Sequence, residues 1–161
     1  MPAPHALSIG SGFLFLATVF LTSPGSAQTT STVQITAGTA LSTIPALAFG
    51  INSAVWDGNL LDAAVPGLLT NAGISAIRYP GGSTSDDYNW QTNSIVPNQG
   101  GFANPNNTFD AFMGVVKSTG TTPIITVNYG SGPTGVGGGT PALAAAWVTY
   151  AKTKGYGVKY W

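Results

Sequence analysis

The chain has 161 residues, a formal net charge of zero, one histidine and no cysteine, and its five acidic residues are all aspartates. This composition offers no electrostatic footprint for nucleic acid or an anionic membrane, and no disulfide staple. Because the only histidine is His5, near the N-terminus, we also exclude a Ser-His-Asp triad and a His/Cys metal site downstream, and expect neither a metal nor a cofactor.

Residues 1–27 have the pattern of a secretory signal peptide. Residues 13–21 form an apolar core that is shorter than the roughly 20 residues needed to span a bilayer. Small residues precede Gln28, although no Lys or Arg precedes the core. We predict a secreted protein, extracellular or periplasmic, with no membrane span in the mature form; the alternative is a buried N-terminal strand or helix.

A Thr/Ser-rich stretch follows at residues 28–45. Its one short alternating run, residues 32–36, suits an edge strand or a linker. We therefore predict an N-terminal extended segment at 28–45, followed by a single domain at 46–161.

Strands and helices alternate from residue 46. Residues 46–51 are predicted as a buried strand, and a helix follows in which Asp62 is a plausible cap and Pro66 must lie near the start. Gly73 ends this helix. Residues 75–79 form the predicted second strand.

The next stretch is predicted as a long Gly/Asn/Ser/Pro loop, residues 80–107. A second helix then begins, and its apolar face ends at Gly120. Four side chains define that face: Phe109, Phe112, Met113 and Val116.

The third strand is predicted at residues 123–128. Thr140 and Pro141 begin a third helix, closed by Gly155, and a fourth strand starts at residues 158–161. The buried face of the third helix is predicted to comprise Leu143, Ala146, Trp147 and Tyr150.

This rhythm favours an α/β fold with a parallel sheet and crossover helices. The pattern alone leaves two architectures open, an open doubly wound sheet and part of a (β/α)8 barrel.

Residues 130–135 match the dinucleotide pattern G-x-G-x-x-G. No helix begins at the third glycine, and no acidic residue follows Asp110 to bind a ribose. We interpret the segment as a mobile loop at the carboxyl end of a strand.

Asp86 and Asp87 are unsuited to act as a carboxylate pair, because neighbouring side chains in an extended segment point to opposite faces. We expect one solvated acid and one structural hydrogen-bonding acid. A glycosylation sequon occurs at Asn106, relevant in a eukaryotic secretory host.

Arg78 is the only arginine and ends an apolar strand. A guanidinium there either reaches solvent or presents a planar donor fork where barrel enzymes place their sites. Trp56, Tyr88 and Trp90 offer flat faces for sugar rings, or pack in the core and loops.

Several segments resemble α-L-arabinofuranosidase-type (β/α)8 glycoside hydrolases in the family's order. Residues 78–83 (Arg-Tyr-Pro-Gly-Gly-Ser) and 87–90 (Asp-Tyr-Asn-Trp) resemble the second-strand signature. Residues 127–132 resemble the third-strand end, 145–150 the following helix, and 158–161 the fourth strand before a Gly-Asn-Glu motif. The resemblance covers about residues 46–161 and implies the N-terminal half of a TIM barrel, about four strands and three helices.

The resemblance also implies a retaining mechanism with two glutamates about 5 Å apart. The chain contains neither these nor the family's sugar-binding glutamate near the first strand, where residues 50–57 have none. We therefore expect no catalytic residue in this chain and no hydrolytic activity from it as it stands. The alternatives are a non-catalytic carbohydrate (cellulose)-binding protein and a self-standing α/β domain.

The resemblance places a carbohydrate site at the carboxyl ends of the strands. Arg78 would orient a carboxylate and, without one, would contact Asp86, Asp87 or backbone carbonyls. Ser83 and Asn128 would bind sugar hydroxyls, and Trp90 would stack on a ring. The predicted substrate-binding residues are Asn52, Arg78, Ser83, Tyr88, Trp90, Asn128 and Tyr129.

Overall fold

The computed structural model describes residues 30–161, so the predicted signal peptide lies outside the described residues. Contacts divide the chain at Ala40 and Leu41. Before this division, residues 32–36 form no strand, which corrects the edge-strand alternative for that run. After it, residues 41–161 contain all of the strands and helices described below.

Five strands and three helices make up this region. In chain order they are β1 (Gly50–Asn52), α1 (Val65–Asn71), β2 (Ala76–Tyr79), β3 (Tyr88–Asn89), β4 (Ser94–Ile95), α2 (Phe109–Thr119), β5 (Thr122–Ile125) and α3 (Pro141–Thr153).

A parallel three-stranded sheet is built in the order β1-β2-β5. In its register, Asn52 lies beside Arg78, and Arg78 lies beside Ile124. Helix α1 connects β1 to β2, and α2 lies between β2 and β5, so the strands follow each other through helical crossovers. This confirms the predicted α/β class and its parallel sheet.

The first strand differs from its prediction. Residues Ala46–Ala48 form a 3-10 turn, and the strand begins only at Gly50. All three of its residues are exposed, with Ile51 39 % accessible. The prediction of a buried strand at 46–51 is therefore wrong, because β1 pairs with β2 alone in the described part of the chain.

The predicted fourth strand is reduced to one bridge. Tyr160 pairs in parallel with Ile124, and the Ile125 amide donates to the Tyr160 carbonyl at 3.0 Å. The chain thus returns beside β5 in the expected direction, but residues 158–161 form no continuous strand.

The predicted long loop contains a short helical turn and a hairpin that the sequence pattern does not indicate. Ser83–Asp86 form a 3-10 turn, and β3 and β4 form an antiparallel hairpin. The hairpin turn is closed by Asn89, whose Oδ1 accepts from the amides of Gln91 and Thr92. Such side-chain-to-backbone bonds replace the ladder bonds of a longer strand.

The core is aromatic and lies between the sheet, α2 and α3. The predicted apolar face of α2 is buried, and the helix ends at Gly120, as predicted; the glycine adopts the left-handed conformation. On α3, Trp147 is buried as expected, whereas Leu143, Ala146 and Tyr150 are only partly buried. The Tyr79 ring stacks on Phe112, with centroids 4.5 Å apart.

Candidate functional site

The carboxyl ends of β1, β2 and β5 meet at one edge of the sheet, and Arg78 connects them. Its Nε donates to Thr126 Oγ1 at 2.7 Å, directly after β5. Its Nη1 donates to Asn52 Oδ1, at the end of β1, at 3.4 Å. The guanidinium therefore spans the sheet across the strand that carries it. We call the surface formed by Arg78 and the strand-end residues beside it the carboxyl edge. These residues are Asn52, Ser83, Thr126, Asn128 and Tyr129.

The other terminal nitrogen of Arg78 has weak partners. Nη2 lies 3.4 Å from the Gly82 carbonyl and 3.5 Å from Ser85 Oγ, both longer than usual N–H···O distances. One strong bond, to Thr126, thus holds the side chain, while its terminal donors remain poorly satisfied. A ligand acceptor that offered shorter bonds would compete with these contacts.

The expected aspartate partners of Arg78 are not found. Asp86 is exposed, and Asp87 Oδ1 accepts from Ser131 Oγ at 2.8 Å. Of the three predicted alternatives for Arg78, the structure shows the backbone carbonyl, at Gly82, and neither Asp86 nor Asp87. The two acids do separate into one solvated and one structural residue.

A tight crossing of backbones fixes the segment after β2. The amide and hydroxyl of Ser53 both donate to the Arg78 carbonyl, at 2.9 and 2.8 Å. Gly81 has φ +95°, and a Cβ there would collide with the Ser53 carbonyl oxygen. This crossing holds the turn that leaves Ser83 exposed after the strand.

Trp56 is an exposed aromatic residue beside this turn. Its side chain is 44 % accessible, and a Cβ on Gly82 would lie 3.3 Å from its ring. Trp56 offers a flat face for a sugar ring but is not among the predicted substrate-binding residues. Thr126 was missed altogether, since its contact with Arg78 joins residues 48 positions apart.

Asn128 and Tyr129 follow β5. Asn128 Oδ1 accepts from the Ser131 amide at 3.1 Å, and its Nδ2 lies 3.4 Å from the Tyr88 carbonyl. Tyr129 is 85 % exposed. The glycine-rich segment after it folds back, with the Gly139 amide donating to the Tyr129 carbonyl at 3.0 Å, so the predicted loop contains internal hydrogen bonds.

Tyr88 belongs to the core, which corrects its predicted exposure to a sugar. The residue is 1 % accessible, and its hydroxyl lies 2.7 Å from both Tyr79 Oη and Asn93 Oδ1. The Tyr79 hydroxyl also lies 2.7 Å from the Asn107 carbonyl. The two hydroxyl protons are therefore shared among three short oxygen–oxygen contacts. Burial raises the pKa of Tyr88 to about 12 and that of Tyr79 further, which keeps both phenols neutral.

Trp90 is partly buried against α3. Its Nε1 donates to the Leu143 carbonyl at 3.0 Å, and its ring stacks on Trp147 with centroids 5.5 Å apart. One ring face is therefore covered by the core. Of the predicted residues, Asn52 and Arg78 are in direct contact, whereas Tyr88 and Trp90 contribute to packing.

Asp110 is the acid most firmly held. Burial acts to raise its pKa, but hydrogen bonds from Tyr156, Tyr150 and Lys154, with the charge of Lys154, lower it overall. Within residues 30–161, no group of three or more His, Cys, Asp or Glu side chains could hold a metal. In the same range, no helix is both long and apolar enough to cross a membrane.

Comparisons with known proteins identify a similar fold. The chain matches no family model and no curated protein sequence. A solved structure described as "The crystal structure of Arabinofuranosidase" is similar with a TM-score of 0.52 and 18 % identity, over 72 % of this chain and 31 % of that chain. The chain thus spans less than a third of that protein.

Two further solved structures are α-L-arabinofuranosidases. The thermostable GH51 enzyme from Thermotoga petrophila RKU-1 gives a TM-score of 0.46 and 20 % identity, over 68 % of this chain and 26 % of that chain. The Thermotoga maritima enzyme, solved as an arabinose complex, gives a TM-score of 0.42 and 22 % identity, over 68 % of this chain and 26 % of that chain. The first of the three similarities confirms the predicted resemblance at the level of the fold: the chain forms an α/β unit like part of an arabinofuranosidase.

Proposed function

We propose that the chain is the N-terminal part of a secreted glycoside hydrolase barrel that acts on the arabinose side chains of plant-type polysaccharides. In this proposal the domain at 46–161 supplies sugar-binding groups and the catalytic carboxylates come from outside this chain. The carrying observation is the guanidinium of Arg78, which spans three parallel strands at their carboxyl ends with only neutral partners.

A cation in this position favours an anionic or strongly polar ligand. The terminal nitrogens of Arg78 have contacts of 3.4–3.5 Å, so a carboxylate that approached them would gain shorter, charge-assisted bonds. We infer that Arg78 orients a carboxylate of the complete site and keeps it ionised, since a neighbouring positive charge favours the charged form. Thr126 holds the fork in place.

Neutral groups around Arg78 suit sugar hydroxyls. Ser83 and Tyr129 are exposed beyond β2 and β5, while Asn52 and Asn128 carry amides at the strand ends. Hydroxyl and amide groups both donate and accept, as a polyol requires. Trp56 adds an exposed ring beside Gly82, and it replaces Tyr88 and Trp90 in our assignment of the aromatic surface.

We expect no hydrolysis by this chain alone. A retaining glycosidase needs two carboxyl groups about 5 Å apart, one of them able to donate a proton. Asp110 has a lowered pKa, which opposes proton donation near neutral pH, and Asp87 is bonded to Ser131. Neither has the environment of a general acid.

A second candidate is a non-catalytic carbohydrate-binding protein, for example one that binds cellulose. The observation that favours it is the absence of glutamate from all 161 residues, together with an edge that still displays Arg78 and Tyr129. Both candidates require a glycan at the carboxyl edge, and they differ in whether a longer polypeptide hydrolyses it.

Calorimetric titration of the purified chain with arabinotriose tests the first candidate. In this chain the weakly bonded terminal nitrogens of Arg78 are open to sugar oxygens. We therefore expect measurable binding that Arg78→Lys weakens about tenfold, because lysine lacks the planar fork. Lys117→Arg, on the exposed side of α2, also exchanges one basic side chain for the other at constant charge; it is the matched control and should leave the affinity unchanged. Equal affinities for the parent chain and Arg78→Lys would contradict the proposed role of the edge.

An assay with aryl arabinofuranoside, glucoside and xyloside separates binding from catalysis. We expect no turnover by the chain. Turnover that survives purification and disappears in an Asp→Asn variant would instead assign catalysis to this chain.

A further inference from the structure

A second concave surface lies beside the β3–β4 hairpin. It is a cleft of about 670 Å³ between the hairpin turn, the first turn of α2 and the C-terminal half of α3. Its lining includes Trp90, Gln91, Thr108, Asp110 and Tyr150. None of the residues assigned above to the carboxyl edge lines this cleft.

One wall of the cleft is aromatic and held in place. Trp90 is fixed by its Nε1 bond to Leu143 and by stacking on Trp147, which leaves the remainder of its indole to the cleft. The Tyr150 ring lies beside it, with centroids 5.1 Å apart. Rigid aromatic side chains contribute contact area at low cost in conformational entropy.

The carboxylate of Asp110 is also oriented before any ligand binds. Asp110 accepts from Tyr156 through Oδ1 at 2.7 Å, and from Tyr150 and Lys154 through Oδ2 at 2.8 and 3.2 Å. These bonds fix the carboxylate plane, and a carboxylate has acceptor sites beyond these three. The exposed side-chain amide of Gln91 makes no hydrogen bond within residues 30–161. Its NH2 group can therefore donate to a ligand, and its carbonyl oxygen can accept from one.

The charges of the cleft select a neutral ligand. The negative charge of Asp110 repels anions, and its pairing with Lys154 at 3.2 Å offsets much of its attraction for cations. An aromatic wall with a few fixed polar groups is the usual make-up of a small-molecule site. A flat, neutral ring with hydroxyls on its rim fits both features.

We propose that this cleft binds a neutral pyranose unit of a glycan, with its ring against Trp90 and Tyr150 and its hydroxyls bonded to Asp110 and Gln91. The cleft would then hold the polysaccharide at a second point, apart from the carboxyl edge. Trp90 keeps the sugar-binding role expected from the sequence, but in a different place. This site is independent of the arabinose specificity proposed for the edge.

Titration of the purified chain with cellotetraose, followed through the ¹⁵N-labelled tryptophan indoles, tests the proposal. We expect the indole resonance of Trp90 to shift with saturation. Gln91→Ala should weaken binding about fivefold through the loss of one neutral hydrogen bond, without changing the melting temperature. Asn71→Ala, which removes an exposed side-chain amide of α1 outside both surfaces, is the matched control and should leave this affinity unchanged.

Three results would overturn the proposal: no saturable shift, a shift confined to the Trp56 indole, or equal affinities for Gln91→Ala and the parent chain. A shift confined to Trp56 would leave the carboxyl edge as the glycan site. A Trp90 shift, together with the expected loss of affinity in Gln91→Ala, would support the cleft even if arabinotriose fails to bind the carboxyl edge.

Discussion

At the scale of single residues, Arg78 contributes to the fold as well as to the proposed site. Its 2.7 Å bond to Thr126 joins β2 to the end of β5. We expect Arg78→Lys to lower the free energy of unfolding by about 1 kcal/mol, the usual net value of one such bond. Thr126→Val removes the acceptor while keeping the shape of the side chain, and urea unfolding of both variants measures the effect.

The double variant distinguishes a direct bond from unrelated effects. If the two residues act through this bond, combining Arg78→Lys with Thr126→Val should cost less than the sum of the single changes. Strict additivity would show that Arg78 is stabilised by other contacts. Loss of glycan affinity beyond the loss of folded protein would remain the sign of its role in binding.

The lowered pKa of Asp110 predicts that the free energy of unfolding depends on pH. Its pKa in the folded chain is lowered, so the stabilisation is present above its unfolded value of 3.8 and is lost as the pH falls through the folded value. We expect Asp110→Asn to be less stable than the parent chain at neutral pH. Urea midpoints should show this difference narrowing as the pH falls from about 5 to 2; a difference independent of pH would refute the assignment.

The role of a residue could be predicted where its type and its neighbours in the sequence were unusual. Arg78 stands out as a lone arginine after an apolar run, and it does lie at the carboxyl edge. Tyr88 was assigned to the sugar site although its hydroxyl contacts Tyr79 and Asn93, and the contact with Tyr79 arises only when β2 and the hairpin pack together. Such contacts leave no local pattern in the sequence.

At the scale of elements, the turn after β2 depends on a close approach of two backbones. Gly81→Ala would place a methyl group against the Ser53 carbonyl at a positive φ, so we expect a loss of several kcal/mol, about 2 or more. Gly114→Ala, on the exposed side of α2 with open space around it, should instead stabilise by about 0.5–1 kcal/mol. Thermal melts compare the two, and a mild effect of Gly81→Ala would show that the loops separate easily.

Helices were predicted better than strands because their signals are local. The face of α2 and its end at Gly120 follow from spacing and one glycine, and Thr108 caps its start by accepting from the Ala111 amide. The extent of β1 depends instead on neighbours, since a strand with one partner stays short and exposed. The β3–β4 hairpin depends on the side chain of Asn89.

At the scale of the whole molecule, the sheet has an exposed apolar margin. Phe49 is 57 % accessible and Ile51 39 %, beside a strand paired on one side in the described residues. Such edges promote association. We expect the purified chain to be weakly stable or oligomeric and to bind a hydrophobic dye.

Light scattering after size exclusion measures this association. Ile51→Lys, which places a charge on the edge strand, should shift the chain towards monomer, and exposed Thr70→Lys on α1 is the matched control. A monomer with a sharp cooperative melt would contradict the expectation and support a self-standing domain.

The central claim is that the carboxyl edge of this chain binds arabinose-containing glycans. The most direct measurement is a map of backbone and side-chain chemical shifts during titration with arabinotriose. We predict that the largest saturable shifts fall on Asn52, the Arg78 guanidinium, Ser83, Asn128 and Tyr129. Absence of saturable shifts at these residues, or shifts confined to other surfaces, would contradict the claim.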